Sequence, residues 1–314
     1  TIDGQNDAPT WTVETGNTQG ISVTETNTGL SASDLTLTLE DIDQSDVVTI
    51  HVAGVTVSST GNVEPQEALG WLSVAGGVSN GETVSTVTWT FDSQGEAFDY
   101  LAVGETERLV SPLSASDDSG ATNREATIDV TIDILGTNDP VTIDASATDF
   151  VQGATPALIT EGATLSATGH VTFADLDRSD RPVASITASS VDQQLRTGGT
   201  LDLGEATLRA LLEGASLPNP TATNHQGTIA FAYATMEDDL DLLGRNDSVR
   251  LRYTLQLDDQ SGGTDSVDVF VRIQGSNDAP TNASAATVAV SETDDATPQT
   301  VSVSDVITVS DVDE

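Results

Sequence analysis

The sequence predicts an all-β chain of tandem sandwich domains, and three observations carry that prediction. Runs of period-two alternation recur, turns rich in glycine, asparagine and serine separate them, and one set of short motifs returns in the same order. The alternation is clearest at Ala126, Ile128, Val130, Ile132 and Ile134, and again at Val267, Val269, Val271 and Ile273. Successive strand side chains point to opposite faces, so these runs read as half-buried antiparallel strands. Further strands are predicted at Leu35–Leu39, Val47–Val57, Val84–Phe91, Ile186–Ala188, Thr228–Tyr233 and Val249–Leu257. About seven strands in about 130 residues is the strand density of an Ig-like Greek-key sandwich. Two short helices interrupt the strands, Glu64–Leu72 with Pro65 in its first turn and Glu205–Leu212 with Leu208, Leu211 and Leu212 on one side.

The recurring motifs set the domain boundaries. Gly4–Pro9 (GQNDAP), Gly136–Pro140 (GTNDP) and Gly275–Pro280 (GSNDAP) begin with glycines 132 and 139 residues apart. An apolar-Thr/Ser-Glu step follows each, at Val23-Thr24-Glu25, Ile159-Thr160-Glu161 and Val290-Ser291-Glu292. An Asp-x-Asp comes next, at Asp41-Ile42-Asp43, Asp175-Leu176-Asp177 and Asp311-Val312-Asp313. Late in the two complete repeats an Asp-Asp precedes glycine, at Asp117-Asp118-Ser119-Gly120 and Asp258-Asp259-Gln260-Ser261-Gly262. The chain therefore divides into the last-strand end of a preceding repeat (1–3), repeats at 4–135 and 136–274, and a partial repeat at 275–314. Such a window is expected of a segment from a longer repetitive protein.

Composition narrows the chemistry. Fifty acidic residues face ten cations, all arginine, for a net charge of −40, and such a surface repels nucleic acid and anionic lipid. The 37% hydrophobic content, arranged in alternating runs, argues against disorder. No apolar run is long enough to span a membrane. Cysteine is absent, and His51, His170 and His225 are scattered, which removes thiolate chemistry and the usual zinc spacings. Trp71, Trp89, Phe98 and Tyr100 are expected in the core rather than on a sugar-binding platform.

Aspartate, asparagine and glutamate without cysteine or paired histidine suit a hard cation with about six to eight oxygen ligands, calcium before magnesium. In each Asp-x-Asp the two carboxylates are expected to face one ion while Ile42 or Leu176 turns into the core. Asp175–Asp180 has the opening spacing of an EF-hand loop but lacks its glycine and flanking helices, and Gly-Gly-x-Gly-x-Asp repeats are missing.

The order Glu, Asp-x-Asp, Asp-x-Ser-Gly, alternating strand, Gly-Thr-Asn-Asp-Pro resembles the VCBS/cadherin-like repeats in the extender region of bacterial RTX adhesins. The resemblance covers essentially the whole chain. It implies tandem cadherin-like sandwiches with calcium shared at the linkers, in an extracellular, secreted protein of the bacterial cell surface. By resemblance the first linker would use Asn6, Asp7, Asp41, Asp43 and Asp117. The second would use Asn138, Asp139, Glu25, Asp175, Asp177 and Asp258, and the third Asn277, Asp278, Glu161, Asp311 and Asp313. The cadherin Asp-Arg-Glu element is missing, with Asp99 and Asp241 as weak substitutes.

The expected role is a calcium-rigidified extender projecting a distal module for adhesion and biofilm formation, with neighbouring repeats as partners and no catalytic residues. Two alternatives stay open. One is a self-assembling filament or S-layer-like protein in which identical chains complete the partial repeat. The other is a carbohydrate-binding or glycoside-cleaving module, disfavoured because the recurring acids sit at repeat boundaries and not in one unusual cleft.

Overall fold

A computed structural model describes residues 4–58, 64–196, 199–285 and 307–311. The predicted end of a preceding repeat, residues 1–3, lies outside them, as do Glu292 and Asp313.

The first sandwich runs β1 (Thr10–Thr12), β2 (Gly20–Thr24), β3 (Ser31–Glu40), β4 (Val48–Val52) and β5 (Thr56–Val57). A short helix α1 (Pro65–Ala68), continued by a 3-10 turn over Leu69–Trp71, leads to β6 (Leu72–Ala75) and β7 (Gly77–Val78). The three long strands β8 (Val84–Asp92), β9 (Thr106–Ser116) and β10 (Glu125–Leu135) complete it. One sheet has the order β1-β3-β8-β6 and the other β2-β10-β9-β4-β7, with β5 also on β9. The opening strand is thus split: β1 edges one sheet, and β2 crosses to run parallel to β10 in the other. This is the Ig-like arrangement with a divided first strand.

Alternation puts Leu37, Leu39, Val87, Trp89 and Phe91 from one sheet against Leu109, Leu113, Val130, Ile132 and Ile134 from the other. Trp89 is fully buried, and its indole N–H donates to Thr18 O at 2.8 Å. Trp71 meets Phe91 and Phe98 edge-on. The aromatic residues named from the sequence are therefore core packing, with Tyr100 partly buried at its margin.

The second sandwich repeats the plan with β11 (Thr142–Ile143), β12 (Ala157–Thr160), β13 (Ser166–Ala174), β14 (Val183–Leu195), helix α2 (Gly204–Leu212) and β15 (Ala215–Ser216). It closes with β16 (Gln226–Ala234), β17 (Ser248–Asp258) and β18 (Thr264–Gln274). Its sheets are β11-β13-β16-β15 and β12-β18-β17-β14, with β12 parallel to β18. The phenols of Tyr233 and Tyr253 donate to Leu211 O at 3.0 and 3.2 Å, a carbonyl at the end of α2 that also accepts from the Gly214 N–H. After the second sandwich, β19 (Thr281–Ala285) and β20 (Ile307–Ser310) form a two-stranded ladder. Thr281 pairs with Ser310 just before Asp311, as Thr10 pairs with Glu40 before Asp41 and Thr142 with Ala174 before Asp175.

Three expectations need correction. Val47–Val57 is two strands, because the chain leaves the ladder at Ala53–Val55, where Gly54 O accepts from the Ser111 hydroxyl. Ile186–Ala188 belongs to a thirteen-residue edge strand with two register shifts, which hide its alternation. Ile42 and Leu176 do not enter the core but are 71% and 53% exposed.

The fold separates into two compact units. The first comprises Thr1–Pro140 with the loops Asp175–Asp180 and Gln260–Gly263, and the second Val141–Ala174, Arg181–Asp259 and Thr264–Glu314.

Candidate metal centres

The first two Asp-x-Asp motifs begin where a long strand stops. After β3 the Asp43 N–H donates to Asp41 Oδ1 at 2.9 Å, and after β13 the Asp177 N–H donates to Asp175 Oδ1 at 3.0 Å. This turn around the first aspartate bends the backbone and throws the middle residue outward, which is why Ile42 and Leu176 are exposed. The turn continues through Asp46 N–H to Asp43 O and Asp180 N–H to Asp177 O, at 3.0 and 3.1 Å. It brings a third acid back to the first. Carboxylate oxygens of Asp41, Asp46 and Asp117 lie within 4.8 Å of one another, as do those of Asp175, Asp177 and Asp180.

The Asn-Asp linkers dock on these turns. The Asp7 N–H donates to Asp43 Oδ2 at 2.7 Å, and the Asp139 N–H to Asp177 Oδ2 at 2.9 Å. The Asn6 amide donates to Asp117 Oδ2 at 3.2 Å, and Asn123 holds the Asn6 carbonyl. The glutamates grip the linkers from the other side. Glu25 Oε1 accepts from the Thr137 N–H and hydroxyl, and Glu161 Oε2 accepts from the Ser276 N–H at 2.6 Å. Within the first unit Glu25, Asp139 and Asp177 form a further carboxylate group, and within the second Glu161, Asp241 and Asp278 form another.

The linker glycines are fixed by close approach. A Cβ on Gly136 would overlap the Leu101 and Ala102 carbonyl oxygens, and one on Gly275 the Leu243 carbonyl. Their N–H groups donate to Glu105 O and Asp247 O, the same bond in both repeats.

These acids are buried. Asp41, Asp117, Asp175, Asp177, Glu25 and Glu161 are all 4% exposed or less. Burial, then the carboxylates of Asp180, Asp175 and Asp139, push Asp177 up to about 7. Burial also raises Glu25, aided by Asp139 and Asp99, and Asp139, aided by Asp99. Asp41 rises through burial and the nearby Asp117, Asp46 and Asp43. At Asp117 burial is outweighed by hydrogen bonds from Ser119 and Asn6, and its pKa falls. Glu25 Oε2, Asp41 Oδ2, Asp177 Oδ1 and Asn6 Oδ1 are buried acceptor oxygens that receive no hydrogen bond. A buried acceptor left without a donor costs about 1–3 kcal/mol, more when charged. Oxygen-only groups with inward acceptors are what a hard divalent cation complements.

The remaining sequence-named residues are placed as follows. Asn138, Asp278 and Asp311 are half-buried, and Asn277 is exposed with its amide on Asp278 O. Asp258 is the last residue of β17 and half-buried, whereas Asp259, 2% exposed, follows the strand as Asp117 follows β9. Sequence reasoning left Asp46 and Asp180 out of the site residues, although both join the carboxylate groups. Both had a visible signal, since both turns read Asp-x-Asp-x-Ser-Asp.

No protein-family model matches the chain, and no curated protein matches it. Among solved structures, the protocadherin GammaB4 extracellular domain aligns at 15% identity over 88% of this chain and 35% of that one, with a TM-score of 0.40. Protocadherin Gamma B2 extracellular cadherin domains 1-5 align at 17% identity over 86% and 40%, TM-score 0.37. Human CDH23 EC21-23 aligns at 14% over 98% and 81%, TM-score 0.39. The chain thus spans little more than a third of the first two. Its all-β, tandem Ig-like sandwich architecture is read from its own strand order. Among the described residues no helix is long and apolar enough to cross a membrane.

Proposed function

We propose that the chain is a calcium-rigidified extender segment of a large secreted bacterial surface adhesin, holding a distal binding module away from the cell. The observation that carries this reading is the repetition of one oxygen-only, donor-poor cluster at successive Asn-Asp linkers. Asp41, Asp43, Asp46, Asp117, Asn6 and Asp7 would hold calcium at the first linker. Glu25, Asn138, Asp139, Asp175, Asp177 and Asp180 would do so at the second, and Glu161, Asp241, Asn277, Asp278 and Asp311 at the third. Bound calcium would neutralise acids that otherwise repel and fix the linker backbone they already grip, so a row of repeats would stiffen.

Small-angle X-ray scattering across a calcium titration, with magnesium as control, tests the proposal. The maximum dimension should settle at one extended value with calcium only, and Asn138→Ala with Asp139→Ala should abolish the change. A profile indifferent to calcium, or a response untouched by the double variant, would overturn it.

A further inference from the structure

The outward face of β17 and β18 reverses the charge logic of the rest of the chain. Arg250 in β17 stands directly opposite Arg272 in β18 across the antiparallel ladder. The same ladder position in the first sandwich pairs Arg108 with Asp133. Both pairs lie two residues in from the ladder end, at Leu135 with Thr106 and at Gln274 with Ser248. Arg108 and Asp133 make a two-point ion pair, Nε to Oδ1 at 2.5 Å and Nη2 to Oδ2 at 2.7 Å. The second repeat has arginine where the first has that aspartate, and like charges directly opposite each other on a sheet are destabilising. Of the chain's ten arginines, two therefore face each other although acids are five times as abundant.

The surroundings hold this pair in place. Arg250 lies 4.1 Å from the Phe270 ring centroid, and its Nε is 3.1 Å from Asp192 Oδ2. Phe270 is covered by the loop before β12, through its N–H to Phe150 O at 2.8 Å and a bridge between Val151 and Val269. Arg272 is exposed, and its side chain makes no ion pair or hydrogen bond among the described residues. Beside the two guanidiniums is a cleft of about 200 Å³ lined by Pro156, Gln193, Leu195 and Ser248. Arg252 is neutralised by Asp268 at 2.6 Å, so one positive charge is left over among Arg250, Arg272 and Asp192.

We propose that this cleft binds a carboxylate-bearing sugar ring of the hexuronate class. The guanidinium forks of Arg272 and Arg250 would take the carboxylate, whose single charge matches the one left uncompensated. The Gln193 amide and Ser248 hydroxyl offer hydrogen bonds to ring hydroxyls, and Pro156 and Leu195 an apolar wall for a C–H face. Another copy of this chain, at −40, is a poor source of the carboxylate because the two molecules repel. The cleft shares no residue with the carboxylate clusters, so it stands or falls apart from the calcium reading.

The test is a titration of the whole chain, followed by amide and arginine side-chain NMR, with sodium glucuronate and with glucose and sodium sulfate as controls. Glucuronate should shift the signals of Gln193, Arg250 and Arg272 saturably, with glucose inert and sulfate weaker. Arg272→Asp restores the ion pair of the first repeat and so keeps the fold, while weakening glucuronate at least about tenfold. The proposal fails if glucuronate gives no saturable shift, if glucose does as well, or if Arg272→Asp binds undiminished. Sulfate matching glucuronate would mean an oxyanion site without sugar recognition, and overturns the assignment.

Discussion

Replacing Asp177 by asparagine should stabilise the calcium-free protein. The side chain is fully buried, its Oδ2 already accepts the Asp139 N–H, and its Oδ1 faces acids with no donor. An asparagine keeps the acceptor and turns an amide N–H₂ toward the oxygens of Asp175 and Asp180. A rise from 3.8 to about 7 corresponds to about 4 kcal/mol at about 1.4 kcal/mol per unit, of which about 1–3 should survive relaxation of the turn. The sign follows from proton binding. Between roughly pH 4 and 7 the folded protein keeps a proton that the unfolded chain has released, so stability falls as pH rises through that window and is flat above it. Chemical denaturation in chelator reads this directly, because Trp11, Trp71 and Trp89 all belong to the first unit and tryptophan fluorescence reports on that unit alone. The wild type should lose stability from about pH 4.5 to about 7.5 more steeply than Asp177→Asn, and added calcium should stabilise the wild type more than the variant. Equal stabilities in chelator at about pH 7.5, or a variant weaker than wild type there, would refute the electrostatic reasoning.

Gly136→Ala should destabilise the first unit by about 1–3 kcal/mol, because its Cβ meets the Leu101 and Ala102 carbonyls. Gly4→Ala, with nothing within 4 Å, is the matched control, and thermal melts of both decide the point. Asp259→Asn should weaken calcium binding more than Asp258→Asn, as measured by calorimetry, because only Asp259 is buried past the strand end as Asp117 is. Burial holds the phenols of Tyr233 and Tyr253 well above the usual tyrosine range. Stability of the second unit should therefore fall above about pH 10, and alkaline absorbance should show these phenols ionising only as that unit unfolds. Tyr233→Phe should cost about 0.5–1.5 kcal/mol through the lost bond to Leu211 O.

The strands that flank the linkers were legible because they are central, buried on one face and regularly paired, so Ala126–Ile134 and Val267–Ile273 carry the alternation their burial requires. The edge strand β14 was not, because register shifts and outward polar residues on both sides erase the period. The divided first strand escaped notice because its pieces are only two to five residues long. At the clusters the Asp-x-Asp signalled a site but not its geometry. A strand would have sent Ile42 inward, whereas the aspartate-stabilised turn sends it out and recruits Asp46 instead. Arg272 reads as an ordinary surface residue until the ladder register sets it against Arg250, because cross-strand neighbours are invisible before the pairing is known.

The divided first strand has a mechanical consequence. In the first sandwich β2 and β10 lie side by side and parallel over five paired residues, Gly20 with Thr131 through Thr24 with Leu135. Once the short β1 has parted from β3, tension acts on the start of β2 and the end of β10 and drags these neighbours lengthwise in opposite directions. Their evenly spaced hydrogen bonds are then strained together and must break as a group, not one after another as in a peeled hairpin. The parallel pairing of β12 with β18 gives the second sandwich the same clamp.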